Sequence, residues 1–319
     1  MSTTIDRTVL ITGAGAVTFS SATLLTPGQI VARVNQTERE QVVAGYGTIN
    51  RRIQDNHIRV TFPNHGFMSA AILAALCPTW ARNPSLGTSL LASTDAAAVI
   101  NGMDGKKVTI HNAILSRLPS LYLGADKGVF EDQECEILGL LAKTTARTNA
   151  AALYTQASEA WAKTITQSDY QSCGYTALWG TGPGQSILAE KGWTVSCDLN
   201  LDVKTTADVG SYDVRIMGAT WRARCQPYNL DETVWTLQLH QGTGAAVGST
   251  TLQSKDLVIT ADAVGGVNVT LHDASWLVGD GRQQWGTGVL RVGEIGFVAN
   301  RKFNTGVPGE MVTIAIKAA

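Results

Sequence analysis

The sequence predicts a mainly β protein made of two tandem copies of one unit, each a β-hairpin, a helix and a β-meander whose sheet curls around the helix, joined by a helical linker. Three observations lead there. Apolar and polar residues alternate over long stretches. The same short motifs return in the same order in the second half of the chain. Charged residues make up only 16% of the chain, and glycine is abundant. The chain is therefore expected to be close-packed, with part of its weakly charged surface lying against other subunits.

The recurrence is specific. Gly47, Arg52, Ile53 and Arg59 find counterparts in Gly210, Arg215, Ile216 and Arg222, all at one constant offset (210 − 47 = 163). Gly87, Leu91 and Asp95 match Gly248, Leu252 and Asp256 at 161, as Val108, Thr109, His111 and Ala113 match Val269, Thr270, His272 and Ala274. Gly128, Val129 and Glu134 match Gly288, Val289 and Glu294 at 160. Convergent strand composition can imitate one short match. It hardly imitates an ordered series whose offset drifts so little. The first drift falls between Phe62 and Gly87, a stretch that includes a loop, where deletions are tolerated.

The elements follow in order. Residues 30–41 and 49–62 read as a hairpin, with Ile58, Val60 and Phe62 on one face and His57, Arg59 and Thr61 on the other. A helix follows, because Phe67, Ala71, Ile72, Ala75 and Leu76 keep helical spacing. Strands are expected at 95–101, 107–115 and 129–141. Residues 143–164 are rich in alanine and read as a connecting helix, and 168–184 as an aromatic, glycine-rich loop packed at an interface.

In the second copy the cleanest strand is 193–204, where Trp193, Val195, Cys197, Leu199, Leu201 and Val203 alternate with polar residues. Its partner is 212–225, after a turn over 205–210. A helix is expected across Leu230, Val234 and Leu237, with Asp231 and Glu232 suiting its first turn. Strands at 256–261, 267–277 and 289–300 complete the copy. The expected boundaries are 1–142, 143–190 and 191–319.

Four stretches carry a family resemblance: Ala16-Val17-Thr18-Phe19, residues 58–63 before the first helix, residues 107–113, and the closing 293–297. In pattern and order, over nearly the whole chain, they resemble the major tail protein of siphophages, the tail-tube subunit. The resemblance implies a structural virion protein and no enzyme, with no cofactor. The fold it implies is a β-sandwich or half-barrel with one flanking helix for each unit, whose inner sheets join between neighbouring subunits into a barrel that lines a channel. A long hairpin leaves backbone edges unpaired, and pairing edge to edge in a ring satisfies them. If six units close a ring, a chain holding two forms trimeric, pseudo-sixfold rings that stack head to tail. The implied partners are further copies of the chain, the tape measure, tail terminator and distal tail proteins, and DNA passing through the lumen. The implied location is the virion tail, assembled in the host cytoplasm.

A lumen along which DNA slides needs acidic or neutral polar side chains at alternate strand positions. Asp132, Glu134, Glu136, Asp198, Asp202 and Glu294 are the candidates, and they suit an ordinary solvated strand face equally. The repeated arginines, Arg52 with Arg215 and Arg59 with Arg222, are candidates for a matching ion pair or a contact between subunits. Other readings are a baseplate, distal-tail or head-decoration protein, or a carbohydrate-binding β-sandwich with an exposed aromatic platform.

Several chemistries are disfavoured. A net charge of −1 does not suit tight nucleic-acid binding, which needs lysine and arginine on phosphates. The five cysteines, Cys77, Cys135, Cys173, Cys197 and Cys225, form no CxxC pair, which argues for reduced thiols and against zinc. No apolar run is long enough for a membrane-spanning helix, and the first residues lack a signal-peptide pattern, so no membrane insertion is expected. Gly13 and Gly15 begin a dinucleotide fingerprint. Thr18 stands where its third glycine belongs, and a strand-favouring stretch follows instead of a helix. His111 and His272 repeat, yet no second ligand lies at metal spacing, and no nucleophile-elbow pattern is present.

Overall fold

The computed structural model describes residues 15–65, 68–91, 96–102, 105–141, 143–145, 148–149, 152–158, 172–180, 186–206, 210–230, 254–277, 283–286, 289–301, 303–304 and 307–318. The protein is mainly β, with several sheets and two helices among the described residues. Its first half runs β1 (Ala16–Phe19), β2 (Ala22–Leu25), β3 (Val31–Val43), β4 (Gly47–Pro63), α1 (Ala70–Leu76), α2 (Thr79–Arg82), β5 (Ala98–Asn101), β6 (Lys106–Ile110), β7 (Ala113–Arg117), β8 (Leu121–Leu123) and β9 (Glu134–Gly139). All of these strands but β8 build two sheets. One is ordered β2-β1-β5-β6, and the other β3-β4-β9-β7. Ser69 caps α1 by accepting the Ile72 N–H at 3.2 Å, and the helix buries Ile72, Leu73, Ala75 and Leu76.

The chain continues through β10 (Lys143–Thr145), β11 (Thr148–Asn149), β12 (Tyr154–Ser158), β13 (Tyr175–Trp179), β14 (Ser186–Thr206), β15 (Gly210–Leu230), β16 (Ser254–Ala261) and β17 (Val267–Trp276). It ends with β18 (Gln283–Gly286), β19 (Val289–Val292), β20 (Ile295–Val298), β21 (Phe303–Asn304), β22 (Val307–Pro308) and β23 (Val312–Ile316). The main sheet of this half is ordered β13-β16-β17-β20-β15-β14, and β13 also pairs with β14, so the circuit closes on itself. Trp179, Trp193, Trp276 and Phe297 fill its interior, with centroids 5.1–6.2 Å apart in tilted and edge-on contacts.

The repeat offset of the sequence returns in the strand pairing. In the first hairpin Thr61 faces Val31 and Arg59 faces Arg33; in the second, Arg224 faces Thr194 and Arg222 faces Ser196. Both ladders slip at the same two places. The first slip lies between Thr37 and Glu38, matched by Asn200 and Leu201; the second lies between Gln41 and Val42, matched by Lys204 and Thr205. Both hairpins resume at a glycine with positive φ, Gly47 at 76° and Gly210 at 72°. The third strand agrees as well. Leu138 and Ile137 lie beside Arg59 and Val60, as Val298 and Phe297 lie beside Arg222 and Ala223.

The halves differ where the chain breaks. β2 and β3 are separate strands around Thr26 and Gly28, whereas β14 runs through the equivalent corner with a register shift between Ala189 and Trp193. The strand expected over 107–115 is interrupted at Asn112, whose φ is 47°; β17 carries the same bend at Asp273, φ 44°, without breaking. Only the end of the expected 129–141 strand is extended, because Val129 and Phe130 are buried in a turn. The expected 289–300 strand is divided into β19 and β20.

Two expectations are corrected between the halves. The helix expected over 143–164 is absent from its described residues, which form β10, β11 and β12 and the short approach to β12. β12 pairs with β6, Tyr154 opposite Ile110, just as β23 pairs with β17, Val312 opposite Leu271. A free strand edge supplies backbone partners, and this outweighs helix propensities of only tenths of a kcal/mol per residue. The loop expected over 168–184 holds β13, and Trp179 lies in the chain's own core, with its Nε1–H donating to the Ala274 carbonyl at 2.9 Å. Residues placed in the connector thus belong to the sheets on either side. Of the helix expected near 230–237, Leu230 instead ends β15, and the rest lies outside the described residues.

Candidate functional site

The first half grips the second through one face of the second hairpin. Gly87 and Leu90 donate their N–H groups to the carbonyls of Ile216 and Val214, both at 2.8 Å, and Ile216 donates to the Thr88 carbonyl at 3.3 Å. The short stretch 87–90 therefore runs as an extra strand along the outer edge of β15. Beside it Ser89 donates to the buried Asp213 carboxylate, which also holds Arg215 at 3.0 Å. Val214 packs with Ile114, Leu138 and Leu140 in a small apolar cluster, against which Leu90 and Leu91 lie. Elsewhere β8 pairs with the outer edge of β14, Leu121 to Leu123 opposite Val195 to Trp193. The Trp221 Nε1–H donates to the Ala81 carbonyl at 2.9 Å, the Met311 N–H donates to the Arg82 carbonyl, and the Ser211 N–H donates to the Asp55 carboxylate at 3.0 Å.

The same positions of the first hairpin are bare. Ile216 is 1% exposed, whereas its counterpart Ile53 is 58% exposed. Val214 and Ser211 are buried, while Arg51 and Thr48 are exposed. No described residue pairs with the outer edge of β3, the counterpart of the edge that β8 covers. Val31, Val34, Val42, Val43, Tyr46, Ile49 and Ile53 are half of the large apolar side chains exposed among the described residues, and all lie on this one hairpin.

The acidic candidates do not form bare rows. Glu134 binds Arg117 at 2.6 Å, Glu136 binds Arg59 at 3.0 Å, Asp202 binds Lys204 at 2.5 Å and Glu294 binds Arg224 at 3.0 Å; Asp198 is paired with Arg222. Asp132 sits in an exposed turn with φ 60°. These strand faces are therefore polar with compensated charge. Mostly exposed pairs of this kind add little stability. Arg59 and Arg222 occupy equivalent sites and both make ion pairs, with partners that are not equivalent. Arg215 lies at the joint between the halves, and the backbone of Arg52 pairs with Arg39 inside the first hairpin.

No group of three His, Cys, Asp or Glu side chains placed to hold a metal ion occurs among the described residues. His111 follows β6 and His272 lies inside β17, and their backbone N–H groups donate to the carbonyls of Leu153 and Met311. Burial pushes the Cys135 and Cys197 thiols up to about 12, and those of Cys77 and Cys225 upward too. Trp179, Trp193, Trp221 and Trp276 are buried and offer no platform for a sugar. β1 follows Gly15 directly, so a strand stands where a dinucleotide site needs a helix N-terminus. Residues 1–14, with the rest of that glycine motif, lie outside the described residues.

No protein-family model matches the chain, and no curated protein matches it. The exposed hairpin face is the feature that residue-by-residue reading misses. Ile53 and Ile216 are the same residue at the same repeat position, so the sequence carries their equivalence and nothing of their different exposure.

Proposed function

We propose that the protein is a structural subunit of a bacteriophage tail tube, built from two tandem tube-like units, that assembles into stacked rings around a channel for DNA. The observation that carries this reading is the long hairpin of β3 and β4, which projects apolar side chains into solvent and has an outer edge that no described residue pairs. A single chain gains nothing by exposing Ile49, Ile53 and Tyr46 together. A ring that covers them gains their burial and completes the backbone pairing. The repeated register supports two units per chain, and hence trimeric, pseudo-sixfold rings. The charge-compensated outer faces of β9 and β14 suit a wall that neither binds nor strongly repels phosphate.

The test is electron microscopy of the purified chain. Hollow tubes of uniform bore are expected. Single rings that never stack would point to a baseplate or distal-tail part, and compact single particles at all concentrations would overturn the reading.

A further inference from the structure

β17 runs between two partners, and the three strands bring a carboxylate, an imidazole and a hydroxyl into line. β16 pairs along one side of β17, Leu257 opposite Leu271, and β23 pairs along the other, Val312 opposite Leu271. Leu257, Leu271 and Val312 are fully buried, so the residue beside each in sequence turns to the outer face. Those residues are Asp256, His272 and Thr313. His272 Nε2 lies 2.8 Å from Thr313 Oγ1, and its Nδ1 lies 3.5 Å from Asp256 Oδ2. The other Asp256 oxygen accepts the Asp273 N–H at 3.0 Å, which fixes the carboxylate at the bend of β17. Thr313 is exposed, whereas Asp256 and His272 are half-buried.

A carboxylate, an imidazole and a hydroxyl in that order activate the hydroxyl for attack on an acyl carbon. The imidazole must accept at Nε2 and carry its proton on Nδ1, and a carboxylate beside Nδ1 favours that tautomer. His272 Nδ1 is shut off from solvent and makes no hydrogen bond among the described residues. Water therefore does not compete for it, and a small ring movement closes the gap to Asp256 as the ring gains charge. The hydroxyl has a second acceptor in Glu310 Oε2 at 3.3 Å, which also lies 3.8 Å from Arg82 Nη1. The imidazole contact is the shorter, and Arg82 shares the charge of Glu310.

We propose that Thr313 is a nucleophilic acyl acceptor, with His272 as its general base and Asp256 as the positioning residue, and that its co-reactant is an activated acyl ester or thioester. Thr313 Oγ1 bonds to the acyl carbon as His272 Nε2 takes its proton. The bond from that carbon to the leaving oxygen or sulfur then breaks. The leaving group departs with the electron pair and takes the proton from Nε2, and the chain keeps an acyl-threonine ester. The site lies within one chain and needs no ring, so it goes beyond the tail-tube reading and stands or falls apart from it.

The experiment treats the full-length chain with p-nitrophenyl acetate. Absorbance follows release of p-nitrophenolate, peptide mass spectrometry locates the acetyl group, and circular dichroism checks each fold. Wild type is expected to gain an acetyl group at Thr313 faster than at the exposed Thr37. Thr313→Val keeps the branched shape and is expected to lose that label. His272→Gln is expected to slow it about a hundredfold or more. Asp256→Asn keeps an acceptor for the Asp273 N–H, so the bend is retained and only the charge beside the ring changes. Its pH profile of labelling is expected to move, and an unmoved profile with an unchanged rate overturns the role of Asp256. Acetylation confined to lysines, or labelling of Thr313 at the wild-type rate in folded His272→Gln, overturns the proposal. If His272→Gln misfolds, wild type decides, and Thr313 labelled no faster than Thr37 overturns it.

Discussion

Trp221 shows how a repeat position is specialised. Its counterpart is Ile58, and both are buried, but only the indole carries a donor, which it gives to the Ala81 carbonyl across the joint. Trp221→Phe keeps most of the apolar volume and leaves that carbonyl without its partner. The expected cost is about 1–3 kcal/mol, read as a lower urea midpoint with an unchanged slope. The thiols make a second residue-scale case. Cys135 and Cys197, pushed up to about 12 by burial, are almost wholly protonated near neutral pH. A disulfide-exchange reagent is expected to label Cys135, which is fully buried, only as fast as the protein opens, and rapid labelling of Cys135 in the native chain would contradict the burial.

The element that best reports the shared design is the bend in β17 and its broken equivalent between β6 and β7. Asn112 and Asp273 both take the left-handed conformation, which asparagine and aspartate tolerate and β-branched residues do not. Asn112→Val and Asp273→Val are each expected to destabilise the fold by about 1–3 kcal/mol, while glycine at either site is expected to be close to neutral on the backbone term. Thermal unfolding of the four variants checks this. Much of the element level was legible in the sequence. Period-two alternation marks both hairpins, and the spacing from Phe67 to Leu76 marks α1. The 143–164 helix fails because alanine content speaks only of local preference. The open edge of β6, distant along the chain, decides the outcome instead.

At the scale of the molecule, the two halves share one contiguous apolar core. The Asp55–Ser211 contact adds a polar tie between the hairpins. Burial alone would raise the Asp55 carboxyl. The hydroxyl and N–H of Ser211, with His57 nearby, outweigh it and hold the group below its ordinary range. A folded-state value below the unfolded one stabilises the fold above the ordinary aspartate range, about 3.9, and that contribution is lost as pH falls through the folded value. Wild type is therefore expected to lose melting temperature more steeply than Asp55→Asn below about pH 4. Parallel curves for the two proteins would remove the linkage.

The sequence by itself determined most of the strands, the repeat and the register offset, because alternation and motif order are written residue by residue. Tertiary structure alone decided which copy of a repeated residue is covered. Ile53 and Ile216 share sequence and ladder position, yet only Ile216 has the 87–90 stretch folded over it. Burial depends on what else the chain brings to the same place, and among the described residues only the second hairpin has a stretch of chain folded along this face.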